Sequence, residues 1–305
     1  MENVLRPICQ EKASEPETLG IILVNKEDYS LNITDTFDAV LLIVVAVNEE
    51  MMYSKHYMYE NKKITMHVIT EQQLRKWLAI GSNPRLVEWL FYGKILFNRS
   101  DFLYKLRAEL QEFPFLSRKI KTGIQYSMLI QRYIKGKSYF DEGEYFDSYY
   151  HVLEALHHLG RLSIIDNGLY PEVTFWSKVK KIEPAIYKLY EELTASQENL
   201  EQRLELLLLA IEFLIGSRMH DGAQHILEIM MAKFSWTIQE LHTHSELSLY
   251  STSLEVFVEY LVGKDYIEVD PVITKTPFLF HRNYKVNQEL VKDEYGLSQI
   301  NKDFI

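Results

Sequence analysis

A chain of 305 residues, 47% hydrophobic and 25% charged, carries enough apolar material for two or three packed domains of ordinary globular composition. Its formal net charge of −10 sets the whole-molecule field against nucleic acid, so contact with a polyanion has to rest on a local basic patch. The single cysteine, Cys9, excludes an internal disulfide framework and a zinc pattern. No signal-peptide pattern or bilayer-length apolar run is read, so a cytoplasmic protein without membrane contact is expected.

Residues 2–14 read as a short helix and Leu19–Val24 as an apolar strand. Ala39–Val47 is apolar on both faces, which predicts a central strand. His56–Glu60 and Ile64–Val68 follow as two strands separated by the turn-forming residues 61–63. Thr70 and Gln73 form a capping box ahead of a helix. A second helix over Arg85–Tyr92 and a short strand over Lys94–Phe97 complete an α/β segment.

From Asp101 the periodicity is helical. Helices are predicted over Phe102–Phe113, Ile120–Ile134, Tyr145–Ile165, Glu183–Leu193 and Leu200–Ile215, the last so apolar that it belongs at the centre of a bundle. The final stretch reads as helices over Trp236–His244 and Leu254–Val262, then strands over Lys264–Val269 and Phe278–Tyr284. That is the outline of a winged helix-turn-helix. Residues 236–305 hold eleven acids against six bases, and the helix that would enter a groove carries Glu255 and Glu259 without a basic residue. DNA binding is therefore disfavoured, because phosphate neutralisation supplies most of such affinity. A packing or protein-partner role is expected, with a transcriptional regulator acting through this tail as an alternative. The expected boundaries are 1–117, 118–235 and 236–305. The fold class is α+β: a mixed sheet with helices, then an all-α bundle, then a winged-helix-like domain.

Four strings carry a family resemblance: Thr18-Leu-Gly-Ile-Ile-Leu23, Asp35-Thr-Phe-Asp-Ala-Val-Leu-Leu-Ile43, Gly93-Lys-Ile-Leu-Phe97 and Gly143-Glu-Tyr through His151-Val-Leu-Glu-Ala-Leu-His-His158. On these the chain resembles the nucleotidyltransferase-like proteins of low-GC Gram-positive bacteria. The resemblance implies a polymerase-β-type nucleotidyltransferase-like domain, a helical substrate-binding-like domain and a helix-turn-helix tail. It also implies, by name, nucleotidyl transfer. That chemistry uses two divalent cations held by carboxylates. Active members supply a Gly-Ser turn after the first strand, two acids on the second and a third acid on a neighbour.

Here the turn position falls near Asn25 and Lys26, without Gly-Ser. Asp38 is the one acid at a strand position, since Thr36 and Val40 flank it at the two-residue spacing that would share its face. Asp35 is three residues away and is expected to shape the turn. The neighbouring strand offers Thr65 and His67, with Glu60 the nearest acid. The expectation is thus a degenerate nucleotidyltransferase-like protein, a pseudoenzyme binding a nucleotide, RNA or a protein partner between the first and helical domains. The alternative is an active enzyme using Asp38 as metal ligand with Asp35 or Glu60, in which case Mg²⁺ is its cofactor.

Other candidates lie on the helices. His151, Glu154, His158 and Arg161 share one face of the Tyr145–Ile165 helix. They read either as a metal or phosphate site or as a solvated face or domain interface. Arg118, Lys119 and Lys121 form the densest basic stretch and, with Thr36, are candidates for nucleotide or RNA contact.

Overall fold

The structure, a computed structural model, describes residues 1–28, 33–47, 52–80, 83–112, 115–169 and 175–295. They fall into two compact units, the first ending before residue 115 and the second beginning there.

The first unit opens with α1 (Glu2–Ser14) and β1 (Thr18–Asn25), followed by a 3₁₀ turn at Lys26–Asp28. Next come β2 (Ala39–Val45), β3 (Met52–Tyr59), β4 (Lys62–Thr70), α2 (Glu71–Ile80), α3 (Pro84–Tyr92), β5 (Lys94–Asn98) and α4 (Phe102–Glu112). The five strands form one mixed sheet in the order β3-β4-β2-β1-β5. Only the β2–β4 pair is parallel.

Every residue of β2 is buried, because its two apolar faces are both covered. Val40, Leu42 and Val44 pack with Ile22, Val24 and Ile69 under α2, α3 and α4, where Leu74, Leu90 and Leu106 sit. Ala39, Leu41 and Ile43 pack on the other face against Leu5 of α1. A helix-layered sheet of this kind needs anchors at its corners. Arg99 supplies one, donating to the carbonyls of Thr18, Ala13 and Glu15 at 2.8, 3.1 and 3.0 Å. The β3–β4 hairpin is longer than the sequence pattern suggests. It turns on Glu60 and Asn61, both at positive φ (47° and 64°), rather than over residues 61–63. Two consecutive left-handed residues match the twist of a two-residue hairpin, and Asn tolerates that conformation well.

The second unit begins with α5 (Phe115–Asp141) and α6 (Tyr145–Asp166), an antiparallel pair. It continues with α7 (Trp176–Ile182), α8 (Pro184–Ala195), α9 (Leu200–Ser217), α10 (Met219–Met231), α11 (Ile238–Thr243) and α12 (Leu254–Val262). A hairpin of β6 (Ile267–Ile273) and β7 (Phe280–Val286) and then α13 (Gln288–Tyr295) complete it. Helix α5 runs through Gly136, which the narrower expected helix does not reach. There Ser148 Oγ of α6 donates to the Gly136 carbonyl at 2.8 Å. Asp265, at φ 63°, turns the chain after α12, so β6 begins later than the pattern predicts.

One hydrophobic core runs from Ile124 to Val291. The helical and C-terminal segments, expected as separate domains meeting at 235/236, share it. Trp236 shows how: its indole N–H donates to the Met230 carbonyl at 2.8 Å, while its backbone exchanges hydrogen bonds of 2.8 and 2.7 Å with Tyr284 of β7. Thr237 and Glu240 then form a reciprocal capping box on α11.

At the centre, Tyr126 is fully buried and donates to the Ile215 carbonyl at 2.9 Å. Helix α10 passes over its ring at Gly222, where an added Cβ would lie 2.3 Å from the ring. Gly222→Ala is expected to cost about 1–2 kcal/mol in urea unfolding, overpacking outweighing the gain in helix propensity. Gly216→Ala, where nothing lies within 4 Å of the new methyl, is expected to be neutral or stabilising by up to about 1 kcal/mol.

Candidate functional site

The entry to β2 is built by a closed turn. Phe37 N–H donates to the Thr34 carbonyl at 3.1 Å, and Thr34 Oγ1 donates to the Phe37 carbonyl at 2.8 Å. Asp35 sits in this turn at φ 54°, and its carboxylate is ion-paired with Arg85 of α3. Thr36 is exposed at the turn. Asp38 holds the strand mouth to β4: its N–H donates to the Lys63 carbonyl at 2.7 Å, and its Oδ2 accepts the Lys63 N–H at 2.7 Å. Its carbonyl accepts the Lys26 N–H at 2.9 Å. The amide following β1, where a phosphate-cradling turn would present donors, is therefore engaged within the sheet.

On the neighbouring strand, Thr65 and His67 stand opposite Val40 and Leu42. His67 is held on three sides. Its Nδ1 lies 2.7 Å from Ser54 Oγ, its Nε2 lies 3.3 Å from Thr65 Oγ1, and its ring stacks on Trp89 at 5.5 Å. Burial, with His56 adding to it, lowers its pKa below the usual histidine value, so the ring is neutral near pH 7. Glu60 is exposed in the β3–β4 turn. The three candidate acids thus have three separate settings: Asp35 with Arg85, Asp38 on the Lys63 backbone, and Glu60 in a hairpin turn. Among the described residues no group of three or more His, Cys, Asp or Glu could hold a metal ion. This donor set does not fit a pair of magnesium ions, which would need several convergent oxygens beside a strand acid.

The helical candidates occupy a seam between α5 and α6 rather than a solvated face. Tyr139 stacks on His151 at 5.4 Å, Arg132 Nε lies 2.9 Å from a Glu154 oxygen, and Gln125 Oε1 lies 2.9 Å from His158 Nδ1. At the next turn of the seam stand Lys121 and Arg161, whose positive charges oppose one another. Burial, and then Arg161, lowers Lys121 to about 7. Burial, then the charges of Arg161 and Arg132, lowers His158 to about 3. Arg161 too is lowered by burial. His158 therefore acts as a neutral hydrogen-bonding ring, and the four residues of the face do not converge as a metal site. Instead one end of the seam concentrates cationic side chains in partial burial.

That end adjoins an open cleft of about 420 Å³ whose lining includes Arg118, Lys119 and Thr122 of α5, Asp166 of α6, and His220 and Asp221 of α10. Lys119 is ion-paired with Glu228, so its charge is largely spent within the fold. The buried Nε of Arg118 has no hydrogen-bond partner. Burial raises the Asp166 carboxyl to about 6, with Asp221 and Glu183 adding to the rise and Arg218 opposing it. Sequence reasoning found the basic stretch but missed Gln125, Asp166 and the α10 contribution. The available signal was a second polar stripe, Lys121, Gln125 and Arg132 on α5, matching the one on α6.

Residues 1–118 match a family model described as nucleotidyltransferase-like, residues 119–218 one described as a YgxA-like substrate binding domain, and residues 224–286 a helix-turn-helix domain. The chain is 41% identical over 293 residues to the uncharacterized protein YgxA of Bacillus subtilis strain 168, covering 96% of this chain and 100% of that one. It is also similar to the crystal structure of a nucleotidyltransferase-like protein from Exiguobacterium sibiricum 255-15. The TM-score is 0.81 at 35% identity, over 94% of this chain and 99% of that chain. No described helix is long and apolar enough to cross a membrane.

The Lys121 environment has a measurable consequence. In the unfolded chain this lysine titrates near 10.5 and in the folded protein near 7, so the unfolded state binds more protons between those values. The lysine's contribution to stability therefore rises with pH across that window. Lys121→Met is expected to remove this contribution, roughly 2–4 kcal/mol of pH dependence between pH 7 and 10. Denaturant titrations of both proteins across that range measure it.

Proposed function

The chain belongs to the nucleotidyltransferase-like family that includes YgxA of Bacillus subtilis, and from that premise we propose that it binds a nucleotide without transferring a nucleotidyl group. The observation that carries this reading is the carboxylate inventory at the mouth of β2: one strand acid, bonded to a backbone amide, with threonine and histidine where a third acid would stand. In-line transfer to an α-phosphate requires cations on both the attacking and the leaving oxygen. A single engaged carboxylate leaves that charge without compensation.

Binding is assigned to the helical unit. Its matched family model is described as substrate binding, and its cleft volume is in the range of small-ligand pockets. Arg118 supplies a planar guanidinium with several donors at the cleft. Lys121, one helical turn from Arg118 though not among the residues lining the cleft, is about half-protonated near pH 7, and an anion bound nearby would favour its charged form. A mononucleotide suits this arrangement better than RNA, since the chain's net charge of −10 opposes a long polyanion. The acidic helix α12 has Glu255 beside His242 at 2.9 Å and Glu259 bonded to Arg282 at 2.9 Å, and it offers no basic surface for DNA. A protein-facing role for the C-terminal region is the better assignment.

The second reading, an active enzyme, keeps Asp38 as its metal ligand. Calorimetric titration with ATP, GTP and AMP, with and without magnesium, separates the two. The expected result is binding that does not require magnesium, is accompanied by proton uptake at pH 7–8, and is unchanged in Asp38→Asn, which retains an acceptor for the Lys63 amide. Arg118→Ala is expected to weaken it about tenfold, the cost of one charge-assisted hydrogen bond, and Lys121→Met is expected to remove the proton uptake. Magnesium-dependent pyrophosphate release that disappears in Asp38→Asn would sink the proposal in favour of catalysis.

A further inference from the structure

Helix α9 is apolar around most of its circumference. Leu204, Leu207, Ile211 and Ile215 face the core, while Leu206, Leu209 and Phe213, three and four residues apart, form an outer stripe that is 64%, 60% and 75% exposed. Helices with this all-round composition are ordinarily covered on every side. Another large exposed apolar feature of the second unit is the tip of the β6–β7 hairpin, where Ile273 is 82% and Phe278 97% exposed, with Leu279 and Phe280 beside them. Two such patches on one chain mark interaction surfaces.

Their charges are complementary. The outer face of α9 carries Glu205 and Glu212 beside the leucines, with Lys137 reaching Glu212 at 3.5 Å. The hairpin segment from residue 271 to 281 has no acid and holds Lys275 and His281, while Arg282 behind it is paired with Glu259. The two patches cannot be covering each other within one chain, since both are exposed. Nor can the tip readily fold back. The β6–β7 ladder is continuous from Ile267 opposite Val286 to Ile273 opposite Phe280, and seven residues hold the tip about 20 Å from the hairpin base.

We infer that the hairpin tip of one molecule docks on the α9 stripe of a second copy of this chain. Phe278 and Ile273 cover Leu206, Leu209 and Phe213, and Lys275 meets the acidic rim. Reciprocal exchange between two molecules forms the same contact twice and closes as a two-fold dimer, doubling the buried area. The opposite rim charges orient the docking, because two α9 stripes placed face to face would bring their glutamates together.

Sedimentation velocity of the full chain over a concentration series tests this. Wild type is expected to dimerise, and Phe213→Glu and Phe278→Glu are each expected to weaken dimerisation at least about tenfold, as loss of a buried aromatic anchor does. Both positions are exposed, so the monomers are expected to retain wild-type circular dichroism and melting temperature. An equimolar mixture of the two variants should recover association, since one brings an intact tip and the other an intact stripe. Glu205→Lys should weaken the dimer, and adding Lys275→Glu should restore it. A wild type that stays monomeric throughout, a dimer indifferent to both glutamate substitutions, or a mixture that fails to associate overturns the inference.

Discussion

The double hydrogen bond between Asp38 and the Lys63 backbone is the constraint from which the character of the first unit follows. It closes the ladder between β2 and β4 at the end where both strands begin, and it sets their parallel register before the buried run from Val40 onward. Because the carboxylate caps a backbone amide, the sheet mouth is a structural joint. Around it the polar groups are likewise matched to one another: Asp35 to Arg85, His67 to Ser54 and Thr65, and the Trp89 indole N–H to the Ile33 carbonyl at 2.6 Å. Polar groups already committed to one another in this way are less available to ligate a metal–phosphate group.

The second unit distributes charge in the opposite way. Its α5–α6 seam buries a lysine and an arginine near each other, an arrangement that water alone would not favour. The stability lost there is offset by an extensive apolar core, in which Tyr126, Tyr250 and Phe257 are among the largest fully enclosed side chains. Phe257 contacts Tyr126 edge-on at 5.8 Å and stacks on Tyr250 at 6.0 Å, so the seam is supported by rigid aromatic packing. Rigid support of that kind holds polar groups in a fixed geometry for a ligand.

The sequence reveals those features whose physics is local. The β2 run is apolar in both phases of a two-residue period, which only a strand covered on both faces requires, and the structure buries all of it. Nucleotidyltransferase-like ancestry could be read from whole segments, and the shortage of strand acids from the spacing of Thr36, Asp38 and Val40. What depends on tertiary contact was hidden. A polar stripe on α6 looks the same whether it meets water or the polar stripe of α5, so only the presence of a second stripe on α5 hints at the burial of Lys121 and His158. Helix α10 follows α9 with only Arg218 between them, and no proline or loop-length polar stretch separates the two. The composition places the turn at residues 61–63 rather than at Glu60 and Asn61, because the neighbouring lysines are turn-compatible too.

The shared core behind Trp236 bears on how this protein can diversify. A helix-turn-helix segment is ordinarily a portable cassette, gained or lost at a linker without disturbing its host. Here the backbone of β7 is laced to Trp236 and the indole is tied back to α10, so excision would strip the inner bundle of its lid. Inheritance of the tail is thereby coupled to inheritance of the bundle, because a cut at that junction divides one continuous apolar core.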